Sequence, residues 1–148
     1  MKRFLKRIVV LAGCALLLLG ICTGCTQKIA LHQPESEIVQ INLVYSPFNE
    51  YEVIYTLEGE EIAPFLDALL DTKLHKNLSP HNIGGGLIAQ IVYSDGSVEL
   101  LGSWSVGYCS NGELEHDGWY YVYEKELYEL FSDYVDLSRL PNIWQPDL

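Results

Sequence analysis

The sequence predicts an α+β domain: an antiparallel sheet of about five strands, in the order ββαβββα, with two amphipathic helices on one face. Three observations carry this reading. Several short segments alternate apolar and polar residues with a period of two. Two others carry apolar residues at the spacing of one helix face. The pairs Asp95-Gly96 and Asn111-Gly112 are turn signals, and the first reads as a two-residue hairpin turn. Strand runs with amphipathic helices give a layered α+β fold. The chain of 148 residues suffices for one such domain, assigned to 38–148.

Val39, Ile41, Leu43 and Tyr45 make the first strand, and Ser46-Pro47-Phe48-Asn49 a turn. Tyr51, Val53, Tyr55 and Leu57 make the second, pairing with the first as a hairpin. Glu60 and Glu61 then open a helix, where acids suit the positive end of the dipole. Ile62, Phe65, Leu66, Leu69 and Leu70 form its buried face, and it fades by Lys76. Pro64 fits only because it falls near the first turn. A loop follows from Asn77 to Gly86. Leu87 to Tyr93 and Ser97 to Leu101 are the next strands, and Trp104 to Tyr108 extends or follows them. Trp119 to Tyr123 is the last strand, with Trp119, Tyr121 and Tyr123 on one face. A helix from about Glu124 to Val135 buries Leu127, Leu130, Phe131 and Tyr134. The tail around Leu140 and Trp144 is apolar enough to pack back.

The N-terminal segment is of another kind. Met1 to Arg7 is basic, and Ile8 to Ile21 is an apolar run too short to span a bilayer as a stable helix. A basic start followed by a short apolar run marks a secretory signal peptide. Cys22-Thr23-Gly24-Cys25 closes it and resembles the lipobox of bacterial lipoproteins. That resemblance implies cleavage after Gly24 and a thioether-linked diacylglycerol on Cys25. Cys22 departs from the aliphatic residue usual three places before the modified cysteine. Leu11-Ala12-Gly13-Cys14 matches the letters better, but too few apolar residues precede it. Residues 1–24 are thus assigned to the signal peptide. Residues 25–37, polar and containing Pro34, are assigned to the lipidated cysteine and a flexible tether.

The folded part resembles small lipoproteins of Gram-positive bacteria that carry a domain of unknown function. The likeness lies in Glu60-Glu61-Ile62 opening a helix, the hairpin from Ile91 to Leu100, and an aromatic strand leading into a last helix. It implies no activity and no site residues.

Charge narrows the partners. After Gly24 stand five basic residues against 20 acidic ones, a formal charge of −15. Such a field repels nucleic acid, anionic lipid heads and anionic wall polymers. Of the cysteines, Cys14 and Cys22 leave with the signal peptide and Cys25 carries lipid. Only Cys109 remains as a thiol, and no internal disulfide is expected.

Motifs for chemistry are sparse. Gly84-Gly85-Gly86 lacks the Lys and the following helix of a phosphate loop, though glycines allow a partner's close approach. His75, His81, His116 and Asp117 lack the tight spacing of zinc ligands, so no metal and no cofactor is assigned. Glu113, Glu115 and Asp117 alternate as on a solvated strand or loop. The aromatic group including Trp104, Tyr108, Trp119 and Tyr121 either packs across strands or forms an exposed recognition surface. With Gly84, Gly85 and Gly86 it is the candidate binding surface. The function expected is that of a membrane-tethered, non-enzymatic binding or accessory lipoprotein, presented to an envelope protein or wall component. The alternative is a small envelope hydrolase, which requires the histidines and carboxylates to converge.

Overall fold

The computed structural model describes residues 26–47, 50–77, 86–141 and 143, with their side chains except that of His116. The fold is α+β, with two helices and antiparallel sheets, but the strands form two sheets rather than one of about five. Six strands build the larger: β2 (Ile38–Ser46), β3 (Glu52–Leu57), β5 (Gly86–Tyr93), β6 (Val98–Gly102), β7 (Val106–Ser110) and β8 (Glu113–Asp117). Their spatial order is β3-β2-β5-β6-β7-β8. The smaller joins β1 (Thr26–Lys28), β4 (Lys73–Lys76) and β9 (Tyr120–Val122) in the order β1-β4-β9. The helices are α1 (Ile62–Asp71) and α2 (Glu124–Ser132).

One face of the larger sheet carries the core. Ile41, Leu43, Leu57, Leu87, Ala89 and Ile91 are fully buried there, with Phe65, Leu69, Leu127 and Phe131 of the helices. Each fully buried aliphatic or aromatic side chain contributes about 1.5–3 kcal/mol relative to exposure. Phe65 meets Phe131 at 6.1 Å and Tyr134 edge-on at 5.7 Å, which joins the two helices. On the opposite face Asn42 is tied by amide and hydroxyl bonds to Gln40, Thr56 and Gln90.

Three departures from the sequence expectation shape the rest of the molecule. First, α1 stops at Asp71 rather than fading by Lys76. Thr72 turns extended and both its N–H and hydroxyl donate to the Leu69 carbonyl. Leu74 then points into the core from β4. Second, Glu113 to Asp117, left open between a solvated strand and a loop and not counted among the five strands, is a paired strand, because Asn111 and Gly112, both at positive φ, form the tight turn that returns the chain from β7. Third, residues 26–37 do not hang as a tether. β1 pairs with β4, Ile29 joins the core, and the Ser94 N–H donates to the Glu37 carbonyl.

The Asp95-Gly96 turn also differs in detail. It has three residues, Ser94 to Gly96, with Gly96 at φ +83 and its N–H donating to the Tyr93 carbonyl. A glycine is required there because the left-handed region strains other side chains.

Candidate functional site

The strap of residues 26–33 crosses the inner face of the larger sheet at its β6–β8 end. The pleat of β6 explains what it meets. Glu99 and Leu101 share one face of this strand, so Glu99 points inward beside a core leucine. Opposite it stands Tyr108 of β7, and opposite that Glu115 of β8. The neighbouring row runs Leu101, Val106, Asp117.

Glu99 is only 4 % exposed and its carboxyl group is fully engaged. The Tyr93 hydroxyl donates to Oε2 at 2.6 Å, and the His32 backbone N–H donates to the same oxygen at 3.1 Å. The His32 Nδ1 lies 3.0 Å from Oε1. A buried carboxyl group needs such partners, since leaving one unsatisfied costs about 1–3 kcal/mol or more. The His32 ring stacks flat on Tyr108, 4.2 Å between centroids and 6° between planes, and its side chain remains 51 % exposed. Gln33 extends the network, its amide nitrogen lying 3.1 Å from the Tyr108 hydroxyl and 2.9 Å from Asp95. Burial pushes the Tyr93 phenol well above its ordinary value, and the bond to Glu99 adds to this. Bonds from Ser97 and Gln33 hold the Asp95 carboxyl below its ordinary value.

Beside this network opens a cleft of about 700 Å³, between the two sheets where the chain passes from β8 to β9. Gln27, Lys28 and His32 of the strap form one side. Glu115, Asp117, Trp119 and Tyr120 form another, with Tyr108 and Glu99 also lining it. Asp117 places Trp119 locally: its Oδ1 accepts the Trp119 N–H at 2.9 Å, closing a turn around Gly118. The volume lies in the range of small-ligand sites, and carboxylates next to rings suit a cationic or hydroxyl-bearing group.

The residues singled out by sequence divide sharply. Tyr108 and Trp119 line the cleft. Tyr121 does not, because Trp119 sits in a turn and alternation begins only at Tyr120. Tyr120 therefore takes the cleft side, while Tyr121 joins His75 and Tyr123 elsewhere on the small sheet. Trp104 packs against Gly86, where an added Cβ would stand 2.5 Å from the indole and 2.2 Å from Ser103 Oγ. That close approach is the need for glycine at 86, and it is separate from the cleft. Cys25, His81, Gly84 and Gly85 lie outside the described residues, as does the His116 side chain. Cys109 is a free, partly buried thiol.

The convergence required of a hydrolase is met only in part. Glu115 and Asp117 reach the cleft, while His75 stands apart. Among the described side chains the imidazole at the cleft is His32, which sequence reasoning passed over with Lys28, Gln33 and Glu99. Glu99 had a readable signal, an acid in phase with Leu101 on an inward strand face. His32 had none, as its position depends on a partner 67 residues away.

No family model, curated protein or solved structure matches the chain. Among the described residues no helix is long and apolar enough to cross a membrane, and no three or more metal-ligating side chains cluster.

Proposed function

We propose that the chain is a lipid-anchored binding protein of the cell envelope, held by Cys25 at the extracytoplasmic face of the membrane, with the cleft as its binding site. The observation that supports this best is the cleft itself: Glu115 and Asp117 stand beside Tyr108, Trp119 and Tyr120 without any cationic partner among the described residues. Open carboxylates next to aromatic faces attract a cation more strongly than either alone. The signal-peptide pattern of residues 1–24 and the lipobox-like ending at Cys25 supply the anchor. Anchoring raises the local concentration, so a weak contact suffices.

The test has two parts. Metabolic labelling with an alkyne fatty acid is expected to mark the wild-type protein and Cys14→Ala, and to fail on Cys25→Ala. In-cell cross-linking is expected to recover an envelope component that is lost when Glu115→Gln and Asp117→Asn are combined. Labelling that survives Cys25→Ala removes the anchor. A cross-linked set unchanged in the double variant removes the cleft.

A second reading, a small envelope hydrolase, is favoured by His32. If Nδ1 donates to Glu99, the neutral ring keeps its lone pair on Nε2, as a general base requires. Hydrolysis of any envelope substrate that disappears in His32→Gln would decide for it.

A further inference from the structure

We infer that the outer face of the larger sheet, the one turned away from both helices, is a contact surface for a second copy of this chain. The inference is independent of the cleft, which opens on the inner face.

The first argument is where the charges lie. Five residues of the six strands are Asp, Glu, Lys or Arg: Glu52, Glu99, Glu113, Glu115 and Asp117. Glu52 stands opposite the core residue Tyr45, and Glu99 opposite the core residue Ile91. Glu113, Glu115 and Asp117 alternate along β8 on that same inner side, in rows that continue from Glu99 and Leu101. The outward positions therefore carry none of these residues, although the chain after Gly24 has a formal charge of −15. Instead Ile88, Val92, Val98 and Leu100 are half-buried there, and Val53 and Leu114 are exposed. Gly86 also points outward, so the indole that an added Cβ would meet, that of Trp104, lies on this face. An acidic chain repels its own copies wherever its charge is displayed, and here it is not.

The second argument is layout. The register sets three rows across the face. Thr56, Asn42, Gln90 and Leu100 form the middle one. Val53, Ile88 and the already buried Val44 lie on one side of it, and Val92, Val98, Cys109 and Leu114 on the other. A two-fold axis in the contact plane along the middle row sets that row against itself and one apolar row against the other. The amides fit the same symmetry. Gln40 donates to Asn42 and Asn42 to Gln90, which leaves the Gln40 carbonyl and the Gln90 amide nitrogen unbonded among the described residues. Each copy thus brings one acceptor and one donor to the other.

The third argument is area. Six strands about 4.8 Å apart, over five residues at about 3.3 Å each, outline roughly 480 Å² per copy. A pleated surface exposes more than its outline, so two copies reach about the 1,000 Å² that a specific interface requires. The sheets would stack about 10 Å apart with strands within about 30° of each other.

The test is sedimentation of the full-length protein in density-matched detergent. Wild type is expected to run as two chains. Gln90→Glu and Gln90→Lys each set like charges against each other and should raise the dissociation constant roughly tenfold or more. An equal mixture of the two variants should run as two chains again, which also shows that both fold. A dimer that withstands both variants lies elsewhere and overturns this face. No recovery in the mixture overturns the two-fold pairing. A single wild-type chain overturns the second copy, and slower hydrogen exchange at 88–92 and 98–100 in phosphatidylglycerol vesicles would then give the face to the bilayer.

Discussion

His32 and His75 each stack on a tyrosine and lie within reach of a glutamate, yet only His32 is hydrogen-bonded. At the cleft, His32 lies 3.0 Å from Glu99, and that carboxyl group also receives Tyr93. Beside the small sheet, His75 packs on Tyr123 at 3.6 Å while its Nε2 stops 4.0 Å short of Glu126. Neither of those two buried atoms has a hydrogen-bond partner among the described residues. One region is organised by polar satisfaction, the other by ring packing that tolerates unsatisfied atoms. An unsatisfied buried group costs about 1–3 kcal/mol, so the two regions should respond oppositely to losing their polar atoms.

The largest effect is expected at Glu99. Glu99→Ala strands the Tyr93 hydroxyl and two His32 groups, and should cost about 3 kcal/mol of unfolding free energy in denaturant titration. Exchange at residues 29–33 should accelerate in the same variant. A loss near zero would mean that the strap is held by Ile29 and β1 alone.

Tyr93→Phe comes next, removing one buried hydrogen bond worth about 1 kcal/mol. It also carries a pH signature. The folded-state value of the phenol is raised, so its contribution is intact below the ordinary value of 10.0 and is lost as the pH climbs above it. Wild-type stability should therefore fall more steeply than that of Tyr93→Phe above that value, as followed by urea midpoints. Parallel curves would show that the phenol is not shielded.

The smallest effects sharpen the contrast between the histidines. His32→Phe keeps a flat ring on Tyr108 but abandons Glu99, and should cost about 1 kcal/mol. His75→Phe keeps the stack on Tyr123 and removes an unsatisfied atom, so it should be neutral or stabilising by up to about 1 kcal/mol. Thermal unfolding at neutral pH reads both. Equal losses would mean that the gap between His75 and Glu126 is bridged.

How far sequence could go depended on what each element buries. Strands β2, β3, β5 and β6 and both helices bury one face against the core, so their periodicity was audible. β8 offers Glu113, Glu115 and Asp117 along one face, and Leu114 on the other is half exposed. An edge strand of that kind carries no hydrophobic rhythm, which leaves strand and loop undistinguished in the sequence. β1 is exposed at all three positions and is fixed only by backbone pairing with β4. Of the cleft, Tyr108 and Trp119 were visible as aromatic residues. The acids beside them were visible but unplaced, because their approach to Trp119 depends on the β7–β8 hairpin and the Asp117 turn. His32 was hidden altogether, since nothing local ties it to β6.

The strap also sets an order on folding. It is made before the strands it meets: Glu99 follows His32 by 67 residues, and its sheet is completed only by Val122 of β9. Contacts of such long separation close late, since loop entropy must be overcome before they form. The strap thus docks only after nearly the whole domain has been made. Until then Ile29 and the His32 ring have no sheet to bury against, so the last step of folding closes the core and assembles the Glu99 network together.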